Sequence, residues 1–240
     1  MNSDLPKVLH KVAAAPLLHH ALSAGATLSP SRIVVVTGHG AEAVARAATG
    51  WDPAVETVLQ EPQLGTGHAV AQALPRLEGF SGDVVVLYGD TPFVRPETLE
   101  AMLEARRRHA VVMLGFNAAD PARYGRFVTE GETLLRIVEY KDATDEERAI
   151  TLCNSGVLCA DAALLADLVG VLRNDNAAGE YYLTDVVALA RARGHSAGFV
   201  TCDESETMGI NTRAELARAE AAFQARARAE ALDNGVTLTA

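Results

Sequence analysis

With 240 residues and 49% hydrophobic content, the chain has enough material for one large α/β domain or two small ones. A net charge of −10 and a pI of about 5.2 argue against a non-specific nucleic-acid binder, which needs a basic face, but leave room for one nucleotide in a local pocket. Cys153, Cys159 and Cys202 lack metal-ligand spacing and read as reduced core residues of a cytosolic protein. No apolar run approaches the ~20 residues of a membrane span, and Met1–Lys11 lacks the apolar core of a signal peptide.

Taken in order, the elements alternate. A helix is expected after Pro16, over PLLHHALSAG, with proline near its start and Gly25 at its end. Ile33–Val36 is a continuous apolar run, hence a buried strand, and a short Ala-rich helix follows over Ala41–Ala48. Val55–Leu59 is the next strand, and Gly65-Thr66-Gly67 opens a helix from His68 to about Leu74. Val84–Leu87 is apolar throughout, as expected for a strand buried on both faces of a parallel sheet. A helix over Pro96–Arg108 and a strand over Val111–Phe116 continue a βαβα rhythm that predicts a doubly wound, mostly parallel α/β sheet.

After Asn117 the rhythm changes. Arg126–Thr129 and Leu134–Glu139 flank Glu130-Gly131-Glu132 and predict a small β-hairpin insertion. Tyr140–Arg148 reads as a polar loop, and Leu152–Ala160 returns to the sheet. Helices are expected at Ala162–Leu172 and Leu183–Arg193, with a strand at Ala197–Thr201 before a long helix from Arg213 to about Leu232. The charges of that last helix read as a solvated face or a spacer.

Five stretches could carry chemistry. In VVVLYGDTPF, Gly89, Asp90 and Pro92 end a strand, and ligands of open α/β sheets bind at that end. Asp90 can hold a metal or merely cap the following turn, and Gly89 allows close backbone approach. QEPQLGTGH is a ligand loop or a plain tight turn, and it lacks the third small residue of a dinucleotide fingerprint. Asn154-Ser155-Gly156 marks a bulge or a close approach inside a strand. GEYYLTD, through Thr184 or Asp185, and GINT, through Asn211 or Thr212, read as helix caps that can also meet a ligand. The seven histidines show no metal spacing, and no nucleophile elbow is present.

The order of these stretches is more telling than any one of them. LPKVLHK, VLQEPQLGTGHA, VVVLYGDTP, YGR, IVEYKDAT, NSGV, GEYYLTD and GIN form one series from about Ser3 to Val236. The series strongly resembles the uridyltransferase domain of the bacterial bifunctional N-acetylglucosamine-1-phosphate uridyltransferase/glucosamine-1-phosphate acetyltransferases, and KDATDEER separates that family from other sugar nucleotidyltransferases. The resemblance implies a Rossmann-like nucleotide-diphospho-sugar transferase fold over residues 1–212, with 213–240 forming a long helix and linker. It implies cytoplasmic Mg²⁺-dependent formation of UDP-N-acetylglucosamine and pyrophosphate from UTP and N-acetylglucosamine 1-phosphate, for peptidoglycan and lipopolysaccharide precursors. Carried over by motif, Asp90 and Asn211 correspond to metal ligands, and Lys7 to the lysine on the UTP phosphates. Gln60, Gly65 and Thr66 correspond to the uracil loop, with Tyr88 and Gly89 in the same pocket. Gly125, Glu139, Asn154 and Tyr182 or Thr184 correspond to the sugar-phosphate side. Neither nucleic acid nor membrane is expected as a partner.

Family members carry an apolar strand and a Gly-rich loop of the type LAAGxGTRM directly before S-D-L-P-K. Here Met1 falls where the last residue of that loop would be. The resemblance therefore implies a longer natural chain with Met1 internal, and a central strand whose neighbours lack a ladder partner. The family continues into a left-handed β-helix that carries acetyl transfer and trimerises. Neither activity nor trimer is expected from these 240 residues alone. Two other functions fit less of the pattern: a UDP-sugar-binding module or catalytically impaired fragment, and a related-fold glycosyltransferase. The latter would place a second acid near Asp90, and Gly89-Asp90-Thr91 offers one.

Overall fold

The computed structural model describes residues 3–238, so Met1 and the expectation that it is internal lie outside the described residues. The described strands are β1 Lys11–Val12, β2 Ala15–Pro16, β3 Val34–Thr37, β4 Glu56–Leu59, β5 Asp83–Val86, β6 Val111–Asn117, β7 Arg126–Glu130, β8 Thr133–Val138, β9 Leu152–Asp161 and β10 Ala197–Cys202. The helices are α1 Leu17–Ala26, α2 Ala41–Trp51, α3 Thr66–Ala73, α4 Pro96–Arg106, α5 Asp145–Arg148, α6 Ala162–Val169, α7 Val186–Ala192 and α8 Arg213–Asp233. No described helix is long and apolar enough to cross a membrane.

The main sheet has the order β10-β6-β9-β7-β8, and β5 pairs with the far half of β9. β10 lies parallel to β6, while β9 runs antiparallel to β5, β6 and β7. β3 and β4 form a separate parallel pair. Their direction matches β5. At the amino ends, the Arg32 guanidinium donates to the Arg76 and Glu78 carbonyls, at 2.7 and 3.4 Å, on the approach to β5. At the carboxyl ends, Pro6 abuts Gly40 and Val8 abuts Gly89. The wound strands thus run one way except for β9, which returns between β5 and β6. β3 and β5 face each other with no ladder between them among the described residues.

β6 is apolar along its length because both its faces are covered, while Val34–Val36 of β3 and Val84–Val86 of β5 are half-buried rather than fully buried as expected. Along β6, Val111 and Met113 pack with Leu165, Leu168 and Val186 on one side, while Val112 and Leu114 pack with Leu99 and Met102 on the other. Successive side chains alternate across a strand, so a strand between two helical layers needs an unbroken apolar run. Cys153 and Cys159 are buried in these layers, and burial raises both thiols above their usual range.

Three local readings change. Tyr140–Arg148 is not wholly loop: Thr144 and Glu147 form a reciprocal capping box that starts α5, the T-x-x-E signature that its charge density hid. Leu183–Asp185 is a 3₁₀ turn before α7, and neither Thr184 nor Asp185 makes the expected cap, because the Thr184 hydroxyl donates to Glu139 instead. The helix expected over Ala162–Leu172 stops at Val169, before Gly170. The start of α8 does carry a cap, with Thr212 and Glu215 reciprocally bonded. Its Ala219 is buried and its Glu220 accepts from the Ala13 amide at 2.7 Å, so its first turns pack onto the domain.

Candidate active site

The site gathers at the carboxyl ends of β3 and β5, as the crevice rule for open α/β sheets requires. Three points far apart in sequence meet there. Lys7 opens a short 3₁₀ turn, Asp90 follows β5, and Asn211 precedes α8. The Asp90 carbonyl accepts from the Ile210 amide at 3.1 Å, which fixes the neighbouring Asn211 beside it. The Lys7 ammonium donates to Asp90 Oδ2 at 2.5 Å and to Asn211 Oδ1 at 2.8 Å. Two oxygens from separate elements therefore converge on one positive charge. Asp90 caps no helix, and Thr212 rather than Asn211 caps α8. Among the described residues no three His, Cys, Asp or Glu side chains gather as a metal cluster. A pair of hard oxygens suits a small divalent cation that keeps water or takes its remaining ligands from phosphate.

Tyr88 forms the floor between this charged group and the rest of the cleft. Its ring lies against Gly156, where an added Cβ would stand 2.7 Å from the ring, and Gly156 has φ +93°. The glycine inside β9 thus serves both readings of Asn154-Ser155-Gly156. The ladder to β6 shifts register there, and the bulge opens room for Tyr88. Burial pushes the Tyr88 phenol up to about 12. A hydrogen bond to Thr66 works against that shift, and the charges of Glu139 and Asp90 add to it. The phenol thus remains protonated and neutral near pH 7 and feels carboxylates on both sides.

The Gly65 loop is tied to Gly179–Asp185. The Gly67 amide donates to the Tyr181 carbonyl at 2.8 Å, and the Leu183 amide donates to Thr66 Oγ1 at 3.0 Å. Gly65 has φ +107°, and a Cβ there would lie 2.7 Å from the Tyr181 carbonyl oxygen, so this turn requires glycine. Gln60 donates to the Gly65 carbonyl at 2.9 Å and bonds His68 Nδ1 at 3.1 Å.

On the opposite side, Glu139 Oε1 accepts from the Thr184 hydroxyl at 3.0 Å. Gly125 brings its backbone against this pair, since its Cβ would stand 3.4 Å from both Glu139 Oε1 and Asn154 Cβ. The Gly125 carbonyl accepts from the Asn154 amide at 2.8 Å, and Asn154 Oδ1 accepts from the Gly156 amide at 3.0 Å. Tyr182 sits farther out, its hydroxyl donating to Asp142 at 3.3 Å. Burial raises the Glu139 carboxyl above the usual range. The Thr184 hydrogen bond opposes this, while the nearby charges of Asp185, Asp142 and Glu180 reinforce it.

The family model of the MobA-like NTP transferase domain matches residues 1–148. The chain belongs to the MobA-like NTP transferase family. It is 72% identical over all 240 residues to the bifunctional protein GlmU of Cereibacter sphaeroides, covering 53% of that protein. It is 64% identical over the same length to GlmU of a Ruegeria species, covering 54% of it. The chain spans about half the length of the curated relatives it matches. Its fold is that of a nucleoside-diphosphate-sugar pyrophosphorylase from Vibrio cholerae, with TM-score 0.71, 14% identity, and coverage of 92% of this chain and 93% of the other. The chain is therefore a nucleotidyltransferase domain.

In this NTP transferase domain the thirteen residues singled out from sequence fall into linked groups around Tyr88. They are Lys7, Asp90 and Asn211; Gln60, Gly65 and Thr66; Gly125, Glu139, Asn154 and Thr184; and Tyr182, which lies apart on Asp142. Gly89 packs on Val8, in the turn that carries Lys7. Sequence reading missed Asp142, which accepts from Tyr182 and from the Ala177 amide at 2.9 Å and so joins the IVEYKDAT and GEYYLTD stretches. It also missed Arg126, 1% exposed, whose guanidinium donates to the carbonyls of Ala122, Tyr124 and Arg148. Arg126 locks the Gly125 turn to the segment that follows Glu139. Its place inside the YGR motif was the available signal.

Proposed function

We propose that this domain transfers UMP from UTP to N-acetylglucosamine 1-phosphate, giving UDP-N-acetylglucosamine and pyrophosphate, in the cytoplasm and for cell-wall precursors. The observation that carries the reading is the convergence of Lys7, Asp90 and Asn211 at the end of β5, facing the half-buried Glu139 carboxylate and the Thr184 hydroxyl across Tyr88. The 72% identity to GlmU over all 240 residues supports the substrate pair.

The chemistry asks little of a general base. A sugar phosphate has a second pKa near ~6 and is largely dianionic at pH 7. One of its oxygens attacks the α-phosphorus of UTP while the bond to the bridging oxygen breaks, and pyrophosphate leaves with that electron pair. The difficulty is bringing one anion to another, so positioning and charge neutralisation carry the rate. Mg²⁺, held by the Asp90 and Asn211 oxygens, would supply Lewis-acid charge neutralisation on the phosphates. Lys7 neutralises the triphosphate. Gln60 and the Gly65 turn hold the base, while Glu139, Asn154 and the Gly125 backbone hold the sugar and its N-acetyl group.

One observation favours a second reading, a UDP-sugar-binding module without turnover: the sheet is broken between β3 and β5, directly behind the site. Pyrophosphate release from UTP and N-acetylglucosamine 1-phosphate by the 240-residue chain with Mg²⁺ separates the two. Turnover supports the transferase. Folded protein that binds UDP-N-acetylglucosamine and releases no pyrophosphate supports the binding module.

A further inference from the structure

Gln60 leaves β4 with its backbone amide donating to the Thr37 carbonyl at 2.7 Å, so its main chain is pinned to the end of β3. Its half-buried side chain is then held from α3. Gln60 Nε2 stands 2.9 Å from the Gly65 carbonyl oxygen and 3.1 Å from His68 Nδ1. One turn further along α3, the Gln72 amide stands 3.1 Å from His68 Nε2 and 3.4 Å from the His68 carbonyl. Residues four apart share a helix face, so Gln72, His68 and Gln60 form one polar chain. The Tyr181 ring lies beside the imidazole, with centroids 6.3 Å apart.

Elimination places the hydrogens in this chain. A carbonyl oxygen only accepts, so the Gln60 atom that meets Gly65 is the amide nitrogen. The same nitrogen faces His68 Nδ1, so Nδ1 carries no hydrogen and accepts. A neutral imidazole with an accepting Nδ1 carries its hydrogen on Nε2. The Gln72 amide therefore turns its oxygen to Nε2–H and gives up the longer contact with the His68 carbonyl. Both hydrogens of Gln60 Nε2 are then taken inside the protein. What Gln60 has left for a ligand is Oε1, an acceptor, to which no described residue donates.

An acceptor with no donor beside it discriminates between pyrimidines. Uracil presents a ring N3–H, which donates to Oε1. Cytosine in the same place presents a bare N3, and two lone pairs face each other. We propose that His68 is the positioning residue that sets nucleotide choice: by holding the Gln60 amide nitrogen on its Nδ1, it keeps Oε1 toward the base and selects uridine over cytidine nucleotides. This deepens the reading of Gln60 as the residue that meets the base, and rests on it. Gly65 takes only one Nε2 hydrogen. Without His68 the second is released, and the amide offers a base a donor as well as an acceptor. The role is that of an outer partner fixing the orientation of a ligand-contacting group.

The test is titration calorimetry of UTP and of CTP, each with Mg²⁺, on the 240-residue chain, His68→Leu and His68→Asn. The wild type should bind UTP at least about 10-fold more tightly than CTP. His68→Leu offers no acceptor and should cut that ratio by at least about 5-fold, through weaker UTP binding with CTP unchanged or tighter. His68→Asn sets an amide oxygen near the Nδ1 position and should return the ratio to within about 2-fold of wild type. A merely structural role would weaken both nucleotides alike. A second readout needs no variant: nitrogen-15 spectra of the wild type at mildly alkaline pH should show His68 with a bare Nδ1 and a protonated Nε2. An unchanged ratio in folded His68→Leu, or the opposite tautomer, would overturn the proposal and leave Gln60 as the residue that meets the base. A wild type without preference for UTP would overturn the reading of Gln60 and the proposal with it.

Discussion

The two walls of the cleft are built on opposite electrostatic plans. One joins unlike groups at a partly exposed rim: the side chains of Lys7 and Asp90 are 38% and 22% exposed, and Asn211 completes the bridge. The other crowds like charges around a half-buried carboxyl: burial raises Glu139, and the nearby charges of Asp185, Asp142 and Glu180 add to the shift. A rim that exchanges one cation for another suits phosphates and a metal. A half-buried acceptor with a hydroxyl neighbour suits neutral sugar hydroxyls. Tyr88 separates the two and is held by the glycine bulge of β9.

The largest effect should come from breaking the unlike wall. Asp90→Asn should lower kcat/KM for pyrophosphate release by about 10²–10³-fold with an unchanged fold, checked by steady-state kinetics beside circular dichroism. Next is the divider. Gly156→Ala adds a Cβ 2.7 Å from the Tyr88 ring at φ +93° and should destabilise by about 2–3 kcal/mol, read in a urea melt.

The like-charged wall gives a pH-dependent signature. The folded pKa of Glu139 lies above its ordinary value of 4.5, so the protonated form is the one the fold favours. That contribution is fully present below the unfolded value and is lost as pH rises through the folded one. Glu139→Gln should therefore stabilise the fold at pH 8, by about 2–4 °C in melting temperature. The gain should shrink toward zero near pH 4, while KM for the sugar phosphate rises about 10-fold or more. The smallest effect is expected at the rim pair. Lys7→Gln should change stability by less than about 1 kcal/mol, less still at high salt, because a partly exposed ion pair contributes little.

How far the sequence discloses this architecture depends on the range of the interactions involved. β6 was legible because two-sided burial leaves an unbroken apolar run, a purely local mark. Gly156 was legible as a bulge, but its partner was not, since Tyr88 lies sixty-eight positions away and only the fold brings the ring over it. The antiparallel course of β9 left no trace in a rhythm that reads parallel. Thr184 looked like a cap because a threonine before an apolar helix usually is one, yet Glu139 takes its hydrogen bond. Asp142 and Arg126 act through backbone amides and carbonyls of distant turns, which no spacing rule encodes.

The most direct test of the two-wall account is calorimetric binding of UDP-N-acetylglucosamine to the wild-type chain, Asp90→Asn and Glu139→Gln, each with and without Mg²⁺. The account predicts that Mg²⁺ strengthens binding to wild type and to Glu139→Gln, though the latter binds more weakly overall, and that Asp90→Asn loses the Mg²⁺ response. An undiminished Mg²⁺ response in Asp90→Asn, or its loss in Glu139→Gln alone, would contradict the division of the cleft into a phosphate wall and a sugar wall.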